Sequence, residues 1–315
     1  MSVNAAHVIA HVNLSLVGTF DQITDFSYNT GIAELIHGFD GEVDNSYIAP
    51  GMVAPTISFS TTDIATAMAG SGWDGLKLAS GSDVLTCYLQ KVTQGGLRAA
   101  ASSNHITMVM NEGILIPQSL TVSSDQLATI SYLAVATKNT SALPVVFTNS
   151  QTYTAENASV SGWTLGPIKP SGNSAGYEGN TTMTIDFGIQ LETMAGDGEG
   201  YPTFTYIARR QPTVTFTSKD ATLIDTLSET GKSIASASTK IYLRKVSTTG
   251  NTLVRVADVT AEHISFQLSK MYASPQAVGG SHGGSVDTSV MFTPINDGSN
   301  ATVIIATGVA IAANV

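Results

Sequence analysis

The chain has 315 residues, a formal net charge of −10 and only 12% Asp, Glu, Lys and Arg, so it is long enough for two ordinary domains, each with its own core. The negative balance argues against a nucleic-acid binder, because affinity for phosphates is supplied by Lys and Arg. A single cysteine, Cys87, excludes an intramolecular disulfide and a thiolate zinc centre, and is expected as a buried, reduced thiol in a strand.

The first residues, MSVNAAHVIAHVNLSLVG, carry no basic segment ahead of the apolar ones, so no signal peptide is expected. No apolar run reaches about 18 residues, so no membrane anchor is expected and the chain should fold in a cytoplasm. Residues 7–20 alternate loosely and predict an opening strand. Phe26 and Tyr28 begin the next strand, whose counterpart in the second half is cleaner. There Met183, Ile185, Phe187, Ile189 and Leu191 alternate with Thr184, Asp186, Gly188, Gln190 and Glu192, which predicts one strand with a buried and a wet face. Long loops rich in Gly and acid are expected next, over 38–54 with Asp40, Glu42 and Asp44, and over 194–208 with Asp197 and Glu199.

PTISFST from Pro55 and PTVTFTS from Pro212 alternate again and place Ile57, Phe59, Val214 and Phe216 in the core; Met108 and Phe266 join them from later strands. After Asp63 and Asp220, the segments IATAMAG and ATLIDTLSETG predict one short helix per half, closed by Gly70 and Gly231. Further strands are predicted at 84–92, 105–111, 130–136 and 144–148, and at 240–246, 263–269, 287–293 and 302–306. Residues 150–182, with two Pro and five Gly, read as a linker that also holds a possible opening strand at Trp163 and Leu165. GGSHGGS, within 276–288, reads as a flexible loop or hairpin tip.

The two halves share more than an order of elements. HITMVMNEGILIPQ (105–118) returns as HISFQLSKMYASPQ (263–276) at an offset of 158, and GIAELIHGFDGE (31–42) as GIQLETMAGDGE (188–199) at 157. PTISFSTTD and PTVTFTSKD keep the offset of 157, YLQKV from Tyr88 returns as YLRKV from Tyr242, and Ser131 returns as Ser289. Collinear matches over this length indicate an internal tandem duplication. The expected fold is mainly β: two tandem β-sandwich or barrel domains, each with one short helix, over 1–149 and 183–315, with 150–182 between them.

No constellation nominates chemistry. His7 and His11 are four residues apart without an intervening Glu, and packing or solvation accounts for them. His105 and His263 match between the halves, as structural positions at strand starts do. The carboxylates Asp40, Glu42, Asp44, Asp197 and Glu199 fit no calcium-loop pattern and read as solvated acidic loops. No catalytic residue, metal or cofactor is expected, and an enzyme is not expected.

The order of strand, acidic loop, strand, short helix and further strands, carried by PTISFSTTDIATAM and PTVTFTSKDATLI, resembles the tail tube (major tail) proteins of long-tailed bacteriophages. The duplication resembles their double-domain variety. The resemblance spans about 250 residues and lies in architecture more than in motif. It implies a virion protein, assembled in the host cytoplasm, whose trimeric rings mimic hexamers and stack into a tube. Its partners would be itself and other tail proteins (tape measure, terminator, distal tail), with DNA only as passing cargo. It also implies an acidic lumen, for which Asp40, Glu42, Asp44, Asp186, Glu192, Asp197 and Glu199 are the candidates. The other readings are a baseplate hub, neck or capsid decoration protein, or a non-catalytic tandem carbohydrate-binding β-protein.

Overall fold

The computed structural model describes residues 5–311 except 21, 38–46, 80–81, 94, 97, 139–142, 154–160, 170–178, 197–198, 221–231, 235–238, 250–251, 281, 283 and 297–301. It is mainly β. In chain order the first half runs β1 (Ala5–Leu14), β2 (Gly18–Phe20), β3 (Ile23–Asn29), β4 (Ile32–His37), β5 (Tyr47–Val53), β6 (Thr56–Thr61), α1 (Ile64–Gly70), β7 (Leu76–Leu78), β8 (Leu85–Thr93), β9 (His105–Met110), β10 (Gly113–Ser123), β11 (Thr129–Ala136) and β12 (Val145–Gln151). The second runs β13 (Ser161–Lys169), β14 (Asn180–Asp186), β15 (Ile189–Met194), β16 (Phe204–Arg210), β17 (Thr213–Ser218), β18 (Lys232–Ile234), β19 (Thr239–Thr249), β20 (Thr252–Arg255), β21 (His263–Leu268), β22 (Met271–Gly279), β23 (Asp287–Pro294) and β24 (Val303–Val309).

The pairings recur in the same order. In the first half β3, β6, β11 and β10 lie side by side with β7 beyond; in the second, β14, β17, β23 and β22 do so with β18 beyond. Registers correspond as well. Phe26 faces Phe59 as Met183 faces Phe216, and Pro117 faces Tyr132 as Pro275 faces Val290, each proline followed by a register shift. β12, β9, β8 and β1 form a further sheet (extended by β2), matched by β24, β21, β19 and β13. Tyr88 faces Thr107 as Tyr242 faces Ser265. The hairpins β4–β5 and β15–β16 stand apart from these sheets.

Alternation decides which side chains go inside. TISFST and TVTFTS bury every second residue, so Ile57, Phe59, Val214 and Phe216 are almost fully enclosed, as are Met108 and Phe266. Their rings meet others: Phe59 stacks on Tyr132 at 5.2 Å, and Phe216 lies 5.0 Å from Phe292. α1 closes the first half's core with Ile64, Ala67 and Met68. Its start is capped by Asp63, whose Oδ1 accepts from Thr66 N, and at its end Tyr132 Oη donates to Ala67 O at 3.1 Å. Cys87 is a buried free thiol in β8.

Several expectations need correction. Residues 183–192 are not one strand, because Asp186 Oδ1 accepts from Gly188 N at 2.8 Å and Gly188 turns at φ +58°, separating β14 from β15. Asn29 and Gly31 repeat the device, at 2.9 Å and φ +62°. Within the expected acidic loops, 47–53 and 204–208 are hairpin strands, since 47–53 pair with 32–37, and 204–210 pair with 189–194; residues 38–46 and 197–198 lie outside the described residues. β4 is exposed along its described residues, and β15 and β16 alternate only between half-buried and exposed, so neither hairpin shows the fully buried phase of the core strands. β10 and β22 were not among the expected strands; Pro117 and Pro275 each sit at an irregularity of the ladder, where proline is tolerated. Among the described residues no sheet closes into a barrel. The 150–182 segment does supply a strand, with Trp163 and Leu165 buried in β13, and the GGSHGGS segment joins β22 to β23. The helix expected at 221–231 lies outside the described residues.

Candidate functional site: the seam between β10 and β14

The two strand sets are joined into one ten-stranded sheet by β14, an edge strand of the second set, which pairs with the outer half of β10. Ser119 faces Asp186, Leu120 faces Ile185, Thr121 faces Thr184, Val122 faces Met183 and Ser123 faces Thr182. β10 divides its outer edge between two partners: Gly113–Leu115 carry β7, and Ser119–Ser123 carry β14. The backbone ladder extends past both ends, with Phe187 N donating to Gln118 O at 3.1 Å and Ser124 N to Thr181 O at 2.9 Å.

Alternation gives the seam two faces. Leu120, Val122, Met183 and Ile185 are buried on one and continue the common core. The other presents Ser119, Thr121 and Ser123 beside Thr182, Thr184 and Asp186. Around the seam, Trp73 of the first half packs on Phe187 of the second at 4.7 Å, and Asp74 pairs with Arg210. The β15–β16 hairpin reaches across: Pro202 O accepts from Lys138 N at 2.7 Å and Gly200 O from Val53 N at 2.8 Å. Beneath it lies a cleft of about 390 Å³ lined by Leu78, Ile114, Thr137 and Phe204 among others.

The sequence candidates scatter. Asp40, Glu42, Asp44 and Asp197 lie outside the described residues. Asp186 and Glu192 do not share one strand face: Asp186 ends β14 and holds its turn, whereas Glu192 sits on β15. Both are exposed, and Glu192 accepts from the Tyr206 hydroxyl, which raises the phenol pKa. Glu199 is exposed beyond β15. Two further carboxylates on the wet face of the ten-stranded sheet were not singled out: Asp25 on β3 and Asp287 on β23. Their signal was available, since each occupies the wet phase of an alternating strand.

The histidines serve the backbone. His105 Nδ1 accepts from Lys91 N at 3.1 Å and its Nε2 meets Ala100 O at 2.8 Å; His263 does the same with Lys245 N at 3.0 Å and Ala257 O at 3.1 Å. His11 is buried between Tyr88 and Tyr153, at 4.5 and 5.1 Å, and desolvation lowers its pKa to about 4. His7 is exposed, so the two do not form a pair. Among the described residues no three His, Cys, Asp or Glu side chains are grouped to hold a metal, and no helix is long and apolar enough to cross a membrane. Compared with known proteins, the chain matches no protein-family model and no curated sequence.

Proposed function

We propose that this chain is a structural virion protein of the tail tube kind, a fusion of two like β-domains that assembles head to tail with copies of itself. Three chains would close a ring with pseudo-sixfold symmetry, and rings would stack into a tube through which DNA passes. The carrying observation is the β10–β14 seam, which already joins one strand set to a like set by its edge. A heterologous contact of this kind closes a ring when its rotation divides a full turn, and closure removes the open edges that otherwise invite aggregation. The wet face of the sheet would line the bore. Ser27, Ser58, Ser119, Ser131, Thr184 and Thr215 make it neutral and hydroxyl-rich, and Asp25, Asp186 and Asp287 make it acidic.

A sugar-binding reading is less well supported. Trp73 and Trp163 are both buried, at 8% and 4% exposure, and neither offers a platform to a sugar ring. Negative-stain imaging of the purified protein tests the proposal. Rings or tubes are the expected result, and monodisperse single chains at high concentration would overturn it.

A further inference from the structure

We infer that the free edge of β3 pairs with the Gln276–Gly279 end of β22 in a second copy of this chain, in the register that β14 adopts on β10. The inference rests on the assembly reading above and fixes its interface. The corresponding registers make Ser119 equivalent to Ala277, Leu120 to Val278 and Thr121 to Gly279, and make Asp186 equivalent to Asn29, Ile185 to Tyr28 and Thr184 to Ser27. The intermolecular seam therefore sets Ala277 opposite Asn29, Val278 opposite Tyr28 and Gly279 opposite Ser27.

Among the described residues both edges are open. There β3 pairs only with β6, and β22 carries β18 only at Met271–Ala273, as β10 carries β7 at Gly113–Leu115. Exposure marks the same places. Leu120 and Ile185 are fully buried in the internal seam, whereas Val278 is 56% exposed and Tyr28 is half-buried. A second β3 would cover Val278, and the same contact would enclose Tyr28.

The neighbouring hairpin agrees. Inside the chain, β15–β16 lies over β10 near Ile114 and Thr137. Its counterpart β4–β5 exposes Ile32, Leu35, Ile36 and Met52, and the positions matching Ile114 and Thr137 are the exposed Tyr272 and Ile295. An apolar arm and a partly exposed apolar landing site thus lie at opposite ends of the chain's strand order. A second copy supplies the complement to each.

Cysteine pairs test the register. Phe187 N bonds Gln118 O, so Ser119–Asp186 and Thr121–Thr184 are non-hydrogen-bonded pairs with close Cα atoms. By equivalence Ser27 and Gly279 form such a pair across the new seam, and about 4.5 Å between Cα atoms suits a disulfide. A side chain at Gly279 meets no atom within 4 Å, and Cys87 is enclosed and stays silent. Oxidised Ser27→Cys/Gly279→Cys protein should run as a covalent multimer ladder on non-reducing gels. The displaced pair Ser27→Cys/Val278→Cys, whose side chains would point to opposite faces, should not. If imaging shows rings or tubes but the in-register pair fails to link, or the displaced pair links equally, this interface is wrong and the assembly reading stands. If neither assemblies nor links form, both fall.

Discussion

At the scale of single residues, the strongest constraint is burial without slack. Phe59 and Phe216 occupy corresponding places and are 2% and 1% exposed, each against a second aromatic ring. Phe59→Ala or Phe216→Ala should each cost about 3–5 kcal/mol in chemical denaturation, because the rigid sheets on either side limit collapse into the cavity. His11 gives a pH signature. Its folded pKa of about 4 lies below the ordinary 6.5, since burial beside Tyr88 and Tyr153 disfavours the charged ring. The neutral ring therefore contributes stability that is complete above the unfolded pKa and lost as pH falls through the folded one. The melting temperature should drop between pH 6.5 and 4, and His11→Phe should flatten that part of the curve; identical pH profiles would remove His11 as the cause.

At the scale of elements, the turns after β3 and β14 decide where the hairpins leave the sheet. Gly31 and Gly188 hold φ near +60°, and a Cβ at either would lie 2.0 Å from the carbonyl oxygen of Ala54 or Gln211. Gly31→Ala or Gly188→Ala should therefore destabilise by more than the roughly 1 kcal/mol typical of strain in that region alone, because backbone must also shift. Denaturant midpoints of the two variants check this, and an unchanged midpoint would contradict the turn geometry. The β4–β5 hairpin should behave differently. Leu35→Ser/Ile36→Ser removes exposed apolar surface, so the isolated chain should unfold within about 0.5 kcal/mol of the parent while assembly measured by light scattering weakens.

At the scale of the whole molecule, the proposed bore makes the charge on the wet face of the ten-stranded sheet the property to test. Duplex DNA presents about one negative charge per 1.7 Å of axis, and repulsion from carboxylates is screened beyond roughly 8 Å at physiological salt. Asp25, Asp186 and Asp287 stand on that face. Asp25→Lys/Asp287→Lys spares the Asp186 turn, so it should still assemble, and its assemblies should retain duplex DNA at low salt where the parent's do not. Gel shift against salt concentration reads this directly, and equal retention by parent and variant would place these carboxylates away from the DNA path.

The alternation of TISFST and TVTFTS, the nearly constant offset between the halves and the lone cysteine were enough to determine a mainly β chain, its core residues Ile57, Phe59, Met108, Val214, Phe216 and Phe266, and the absence of a disulfide within the chain. These are local properties, since period two reports directly which side of a strand is buried. The hairpins, the strands through Pro117 and Pro275, and the split between Asp186 and Glu192 were not legible. Their signals are cancelled by two wet faces, by a residue that usually breaks a ladder, and by a glycine turn inside an unbroken alternation. Tertiary structure alone decided that β14 should lie on β10, because edge pairing between strands some sixty residues apart is written in backbone hydrogen bonds, which every residue but proline can make.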